Sequence, residues 1–246
     1  SPAISRTVSQ RIPMAFFAGL STCLGAALVL IWGRPGQRSF SFFLGLAAGV
    51  MLAVVFLDLI PAALAYGSLL QAILGFAAGL LLMTALDLIF SPENRACVHD
   101  YRYLKMGYLI AAGIALHDLP EGLAIAAGCA EPLALGPLLT LAIGLHNIPE
   151  GMATAAPLWA GGMRASRILA LNILLSLVTP LGSALGVILI GLSPGVISFL
   201  LAFAGGAMGY IVFLKLIPES FRHRRSLAWS GIFFGAAFVF FLNLLF

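Results

Sequence analysis

HDLPEG, residues 117–122, and HNIPEG, residues 146–151, are two copies of one motif inside long apolar stretches of the chain. Each copy places an imidazole and a carboxylate four residues apart, so that on a helix both lie on one face, one turn apart. The pairs are His117 with Glu121 and His146 with Glu150. Ionisable groups inside a membrane helix are costly, so their repetition at one spacing indicates a function rather than helix packing.

The composition identifies the environment of these motifs. Of the 246 residues, 61% are hydrophobic and only 9% are charged, against about 45–50% and about 25% in soluble domains. The sequence therefore predicts an all-α integral membrane protein. The three cysteines form no CxxC pair, which argues against a disulfide framework or a thiolate zinc site. They are Cys23, Cys97 and Cys129.

Eight stretches of the chain meet the requirement of about 20 mostly apolar residues for a membrane-spanning helix. We predict spans at residues 13–32, 40–66, 69–90, 106–129, 133–159, 168–191, 196–216 and 227–246. Residues 91–105 are the longest polar segment and are expected to be a loop between spans three and four. We treat residues 1–246 as one transmembrane domain.

The distribution of Lys and Arg predicts the orientation of the spans. The loops after odd-numbered spans hold ten of these residues, the loops after even-numbered spans hold none, and the N-terminal tail holds two. By the positive-inside rule, the odd-numbered loops face the cytoplasm and both termini lie outside the inner membrane. This distribution explains the net charge of +4 without a nucleic-acid partner. The ten residues are Arg34, Arg38, Arg95, Arg102, Lys105, Arg164, Arg167, Arg222, Arg224 and Arg225.

Two facing helices with these motifs would bring two imidazoles and two carboxylates together. That ligand set suits Zn²⁺ and also Fe²⁺, Mn²⁺ or Co²⁺. Asp118 and Asn147 follow the two histidines, about 100° around the helix, where they could reach a second ion or orient the first ligands. Pro120 and Pro149 are expected to kink the helices and to free backbone carbonyls at the level of the ligands.

The chain carries a second repeat in its second and seventh spans. FLDLIPAAL (56–64) resembles FLKLIPESF (213–221), and by the predicted topology these spans cross the membrane in opposite directions, as spans four and five do. Inverted repeats with proline-interrupted helices are typical of secondary transporters. We therefore expect spans two, four, five and seven to surround one pathway that contains Asp58, Lys215 and Glu219. The other four spans would be the scaffold.

With these features the sequence resembles the ZIP family of divalent-metal transporters (Zrt-, Irt-like proteins), and most of all a compact bacterial member. The resemblance rests on HDLPEG, HNIPEG, the eight-span layout and the LIP segments, and it covers essentially the whole chain. It implies uptake of Zn²⁺ or Fe²⁺ toward the cytoplasm through a metal site between spans four and five. It also implies an elevator-like motion, a metal that is substrate rather than cofactor, and a protein that is not an enzyme. Met51 matches a position that can contribute to the site.

The sequence departs from the family pattern at three places. Thr179, in TPLG (179–182), stands where many members have a glutamate that completes a two-metal site, and Lys215 stands where an acid is usual. The loop between spans three and four, commonly His-rich, has only His99. The first two changes lower the local negative charge and disfavour a second dication, so we predict a single-metal site.

Lys215 has two interpretations within this prediction. Its ammonium could stand in for the second cation, by pairing with a carboxylate inside the pathway, or it could extend toward the cytoplasmic interface. The internal candidates are Glu121, Glu150, Asp118 and Asp58. Asp87, near the end of span three, is interpreted as a residue of helix packing.

Two other function classes fit parts of the sequence. A proton-coupled permease for an organic solute would use the carboxylates as proton relays, but it has no need of two His–Glu pairs. An intramembrane metal-dependent hydrolase would show H-E-x-x-H, whereas the order here is H-x-x-P-E. Small residues at Gly45–Gly49 and Gly205–Gly209 are typical of close helix contacts and are compatible with a homodimer.

Overall fold

The computed structural model describes residues 2–34, 36–90, 99–128, 135–188 and 193–245, whose regular structure is helical throughout. Within this part of the chain the prediction of an all-α protein is confirmed. Two π-helical segments, Val54–Leu59 and Val212–Leu216, join α2 to α3 and α9 to α10. The helices are α1 Pro2–Trp32, α2 Gln37–Ala53, α3 Ile60–Tyr66, α4 Leu69–Ile89, α5 His99–Gly128, α6 Leu135–Ala160, α7 Ala165–Ser176, α8 Val178–Ile188, α9 Pro194–Ile211, α10 Ile217–His223 and α11 Arg225–Leu245.

Six stretches of the described chain are long and apolar enough to cross a membrane, as judged by length and composition. They are Ile12–Trp32, Gln37–Tyr66, Leu69–Ile89, Ala165–Gly186, Pro194–His223 and Arg225–Leu245. The two motifs lie on α5 and α6, which have 30 and 26 residues. The membrane crossing of α5 and α6, and with it the count of eight spans, stays a prediction.

The polar segment between spans three and four is partly helical. α5 begins at His99, so residues 99–105 extend this helix into the segment expected to be a loop. The side chains of Arg102 and Lys105 pair with carboxylates of neighbouring helices, which stabilises the extension. Residues 91–98 lie outside the described residues, as does Cys129.

The helices pack into two bundles. In the first, α1 packs against α6 and α7, and α5 packs against α6 and α8. In the second, α2 packs against α10 and α11, while α9 packs against α3 and α4. The bundles meet where α5 lies against α9 and where α6 lies against α2. The four spans expected to surround one pathway are therefore those at the boundary between the bundles.

Glycines of the two motifs set the spacing inside the first bundle. A Cβ atom at Gly122 would collide with the backbone carbonyl of Thr179 in α8. A Cβ atom at Gly151 would collide with the carbonyl of Thr22 in α1. Only a residue without a side chain lets two backbones approach this closely. Each motif helix is thus held by an outer helix at the same position of its motif.

A third repeat explains this equivalence. TCLG (22–25) in α1 and TPLG (179–182) in α8 share three of four residues. The glycine of each segment in turn packs on the backbone of a motif helix, at the residue before the motif proline. The inverted repeat therefore extends to the outer helices of the first bundle. These glycine contacts are Gly25 with Ile148 and Gly182 with Leu119.

The small-residue patterns serve contacts inside the chain. Gly45 and Gly49 of α2 face the backbone of α11 at Ala228 and Ile232. The corresponding pair in α9 lies against side chains of the same second bundle. These patterns therefore account for helix packing within one chain and give the expected homodimer no support.

Both copies of the LIP repeat contain a π-helical segment. The residue before each proline donates its N–H to the carbonyl five residues earlier. These bonds run from Ile60 to Val55 and from Ile217 to Val212. Proline lacks an N–H and its ring crowds the preceding turn, so a local change in helical geometry is expected there. In contrast, α5 and α6 run through Pro120 and Pro149 as α-helices, and their kinks stay a prediction.

Candidate metal site

α5 and α6 bring the four predicted ligands together. His117 Nε2 lies 3.1 Å from Glu150 Oε1 of α6 and 3.7 Å from Glu121 Oε1, one turn along α5. His146 Nε2 lies 2.9 Å from Glu121 Oε1. None of the four residues is more than 7% exposed. The two His–Glu pairs therefore interlock across the two helices inside the protein.

Asp118 also belongs to this cluster. Its Oδ1 lies 3.4 Å from His117 Nε2, and the residue is fully buried. One ligand atom from each of His117, Asp118 and Glu121 lies within 4.8 Å of the others. Asp118 is therefore close enough to bind the same ion as the motif residues. We call these five residues the metal cluster: His117, Asp118, Glu121, His146 and Glu150.

Asn147 contacts a different helix. Its Nδ2 donates to the carbonyl oxygen of Ala18 in α1 at 3.1 Å. Its Oδ1 is buried and has no hydrogen-bond partner. Asn147 thus fastens α6 to α1 and leaves one oxygen available beside the metal-cluster residue His146.

The separations within the metal cluster are compatible with a metal site. Zinc bonds of about 2.0–2.1 Å in a tetrahedral site put the ligand atoms about 3.3 Å apart. The four N–O distances of 2.9, 3.1, 3.4 and 3.7 Å lie on both sides of this value.

The backbone of α5 orients His117. With its proton on Nδ1, this imidazole donates to the Gly113 carbonyl oxygen at 3.3 Å. The lone pair of Nε2 then points toward the carboxylate of Glu150, whose nearest oxygen is 3.1 Å away. At this distance Nε2 can donate a proton to the carboxylate or, with its proton on Nδ1, share a cation with it, and a backbone carbonyl that fixes the tautomer is common among metal-bound histidines.

The charges of the metal cluster are not balanced. In the described part of the chain, its carboxylates form ion pairs with the two histidines alone. Both oxygens of Asp118, both of Glu150 and Oε2 of Glu121 are buried without a hydrogen-bond partner. Burying a carboxylate without a partner costs several kcal/mol. A divalent cation would supply both the missing charge and the missing contacts.

Met51 and Thr179 lie in helices that pack on the motif helices. Met51 is 1% exposed in α2, which packs against α6. Thr179 is fully buried in α8 beside Gly122, and its hydroxyl has no hydrogen-bond partner. A role for either residue in metal binding stays a prediction.

Asp58 lies outside the metal cluster, in the first π-helical segment. It is partly exposed and accepts a hydrogen bond of 2.7 Å from Asn243 of α11. Its charge interacts with those of His146 and Glu121, so it lies within electrostatic reach of the metal cluster. Asn243 is not among the residues predicted from the sequence, although an amide in the apolar final span is a usable signal.

Lys215 does not pair with any of the four internal carboxylates proposed from the sequence, so the first of its two interpretations is wrong. Its ammonium instead binds Asp87 of α4, which also accepts hydrogen bonds from Tyr210 and Lys105. Lys215 and Asp87 keep 20% and 17% side-chain exposure. The long lysine side chain thus reaches a partner that remains partly hydrated, which costs less than a charge in the deep interior.

Glu219, another candidate pathway residue, is also already paired. Both of its oxygens accept from Arg102 Nη2 at 2.8 Å, and Tyr103 donates to Oε1 at 3.2 Å. Asp87 and Glu219 therefore differ from the acids of the metal cluster, since each has a cationic partner.

Comparison with known proteins shows which proteins the chain resembles. The family described as "ZIP Zinc transporter" matches residues 91–243. The chain is 36% identical to the zinc transporter ZupT of Chlorobium luteolum, over 91% of this chain and 93% of that protein. It is 31% identical to the zinc transporter ZTP29 of Arabidopsis thaliana, over 91% and 90%. It is 33% identical to the zinc transporter GufA of Myxococcus xanthus, over 85% and 87%.

The helices and the metal cluster define a class first: a multi-pass helical membrane protein with a buried histidine–carboxylate site. Within that class, the chain belongs to the ZIP family of zinc transporters. It is therefore a transporter of divalent metal and not an enzyme, which excludes the hydrolase interpretation. The metal is its substrate, and no cofactor is required.

Proposed function

We propose that this protein carries Zn²⁺ across the inner membrane toward the cytoplasm, and that the metal cluster is the site where the ion binds. The observation that carries the proposal is the set of buried carboxylate oxygens without a hydrogen-bond partner around two imidazoles, three carboxylates against two histidines. A hydrogen-bond network has a donor for each acceptor oxygen, and this site has more acceptor oxygens than donors. A dication would bind the remaining oxygens. This also favours a metal over an organic solute as the substrate.

The site holds one ion in this proposal. Of the two sequence changes that favour a single ion, Lys215 no longer counts, because it is paired with Asp87. Thr179 still counts, since it contributes a neutral hydroxyl where a carboxylate would be needed for a second ion. Two dications held close together without that carboxylate would repel each other strongly.

The ligand chemistry leaves room for related ions. Imidazole and carboxylate are ligands of borderline softness, so Fe²⁺, Mn²⁺ and Cd²⁺ are further candidate substrates. Zn²⁺ ranks first because the observed separations suit a small tetrahedral ion. Two further residues could adjust the preference between ions. Asn147 follows His146 in the sequence, and Met51 lies on α2, which packs against α6.

The proposed pathway follows the boundary between the two bundles. α5 and α6 carry the metal cluster on one side, and α2 and α9 form the other side. We propose that eight spans cross the membrane with both termini outside, as the Arg and Lys distribution predicts. Movement of the first bundle against the second would then expose the ion alternately to the two sides, in the manner of an elevator.

The experiment is zinc binding and zinc uptake by purified protein in proteoliposomes, with bound metal counted per chain. The wild type should bind about one Zn²⁺ and take it up. Ser230→Ala, which removes only a hydroxyl bound to a backbone carbonyl of α11, is the matched control and should behave as wild type. A wild-type protein that neither binds nor takes up zinc would contradict the proposal.

A second variant tests the single-ion site. Thr179→Glu restores the missing carboxylate beside the metal cluster, so the number of bound zinc ions should rise from about one to about two per chain. Thr179→Gln, of the same size but neutral, should still bind about one. An unchanged number in the glutamate variant would contradict the charge argument.

A further inference from the structure

A second set of polar contacts joins the two bundles at one end of their boundary. Arg102 and Lys105 lie three residues apart on α5 and share one face of this helix. Arg102 binds both carboxylate oxygens of Glu219 in α10, and Lys105 Nζ lies 2.5 Å from Asp87 Oδ1 in α4. α5 belongs to the first bundle, while α4 and α10 belong to the second.

Two tyrosines of the same turn of α5 make further contacts with the second bundle. Tyr101 donates to the carbonyl oxygen of Phe90, at the end of α4, at 3.0 Å. Tyr103 donates to Glu219 at 3.2 Å. Residues 101–105 of α5 thus bind two helices of the other bundle at once.

These contacts lie far from the metal cluster along the helix. Lys105 precedes His117 by 12 residues, or about 18 Å of α-helix. The segment next to it, residues 91–98, is in the loop that the positive charges assign to the cytoplasm. Asp58, within electrostatic reach of the metal cluster, lies near the opposite end of its span, only eight residues before the helix ends at Tyr66.

The exposure of the metal cluster shows the same asymmetry. His146 and Glu121, the two residues whose charges interact with Asp58, are 7% and 6% exposed, whereas His117 and Glu150 are fully buried. The slight exposure of the metal cluster is therefore at its His146–Glu121 pair. At the end with Arg102 and Lys105, ion pairs join the two bundles.

We propose that Arg102, Tyr103 and Lys105 of α5, together with Asp87 and Glu219, form a cytoplasmic lock. The lock holds the bundles together while the metal cluster faces the outside, and it opens before the ion is released to the cytoplasm. This inference rests on the proposed function, since it assigns a step of the transport cycle to contacts outside the metal cluster.

The chemistry of the contacts suits repeated opening. The side chains of Arg102, Lys105 and Asp87 are 44%, 17% and 17% exposed, so water can reach at least one partner of each ion pair when the lock opens, while Glu219 is 10% exposed. The two-bond contact of Arg102 with a carboxylate gives the closed state a defined geometry. Fully buried ion pairs would be too costly to separate in every cycle.

Reversible cross-linking tests the lock. Arg102→Cys and Glu219→Cys are introduced into protein whose native cysteines are replaced by serine, and the pair is joined in proteoliposomes by a reducible bifunctional thiol reagent. Such a reagent is needed because an Arg–Glu pair separates its Cα atoms by more than a disulfide spans. Zinc uptake should fall by roughly tenfold or more on cross-linking and return on reduction. Zinc binding in detergent should stay unchanged, which shows that the protein is folded.

The matched control joins two helices of the same bundle at the same end. Phe221 and Trp229 have ring centroids 5.1 Å apart on α10 and α11. Cross-linking Phe221→Cys to Trp229→Cys should leave uptake unchanged. Undiminished uptake through the cross-linked 102/219 pair would overturn the lock, and so would equal loss in the control pair. Absence of uptake by the reduced and cysteine-free proteins would overturn the proposed function itself, which separates the two failures.

Discussion

The metal cluster and the cytoplasmic lock are built from the same kinds of side chain with opposite balances of charge. In the metal cluster, three buried carboxylates have only two imidazoles as ion-pair partners among the described residues. In the lock, Asp87 has two lysines and a tyrosine, and Glu219 has an arginine and a tyrosine. One region lacks a cation and the other has its cations already.

The balance between carboxylates and cationic partners distinguishes a binding site from a structural contact. The presence of polar residues alone does not. Both regions hold acids in apolar helices, and both join helices that are distant in sequence. Among the described residues, five carboxylate oxygens of the metal cluster are buried without a hydrogen-bond donor, a state that is costly unless an ion binds. On this ground we propose substrate binding for the metal cluster and coupling of the two bundles for the lock.

The same substitution in the two regions gives the largest expected effect. Glu121→Gln with Glu150→Gln removes two ligands, so zinc affinity and uptake should fall by about 100-fold or more, beyond the 10–100-fold typical of partners that only support a ligand. Glu219→Gln in the lock should keep zinc affinity within about threefold. Isothermal titration and uptake assays measure both. Equal loss of affinity in the two proteins would break the comparison.

A packing variant tests whether close helix approach positions the metal cluster. Gly122→Ala pushes α5 away from the Thr179 carbonyl, so we expect a stability loss of about 1–3 kcal/mol and weaker zinc binding. Thermal unfolding with and without zinc measures both effects. Gly36→Ala is the control, because no atom lies within 4 Å of the added Cβ. Identical unfolding of the two variants would contradict the packing argument.

Neutralising the acid at the centre of the lock should have a smaller effect. Asp87→Asn leaves Lys105 and Lys215 without their shared carboxylate, so stability should fall by about 1 kcal/mol, as expected for partly exposed pairs. Zinc affinity should not change, since Asp87 lies outside the metal cluster. A large drop in affinity, measured by titration, would show that the two regions are not separate.

Lys215→Gln has the smallest expected effect and tests whether Lys215 influences the metal cluster. Asp87 keeps Lys105 as a partner, so the stability loss should be about 0.5 kcal/mol or less. Zinc affinity and the number of bound ions, measured by titration and metal counting, should match wild type. A second bound ion in this variant would show that Lys215 acts on the metal cluster, as one interpretation of the sequence proposed.

The metal cluster could be predicted from the sequence because its information is local. The repeated spacing of His117 with Glu121 and of His146 with Glu150 fixes one face of each helix, and the buried side chains then have few ways to meet. The helical class followed from composition in the same way. The structure adds the contacts between the two helices, which pair each histidine with the glutamate of the other motif.

The lock could not be predicted because its pairs are far apart in sequence. Arg102 and Glu219 are 117 residues apart, and Lys215 has several acids within the reach of its flexible side chain. Helix spacing gives no information about which of them it meets. The π-helical segment before Pro218 further changes the register of the span that carries Lys215. Single-sequence periodicity assumes a regular helix and misses such a change.

The most direct test of the central claim is the position of zinc in crystals of the protein grown with Zn²⁺, located by anomalous scattering at the zinc edge. We predict one peak between α5 and α6, about 2.0–2.2 Å from ligand atoms of both helices, including His117 and Glu150. No peak should lie beside Asp87 or Glu219. Zinc bound in the lock with none between the motif helices would contradict the account.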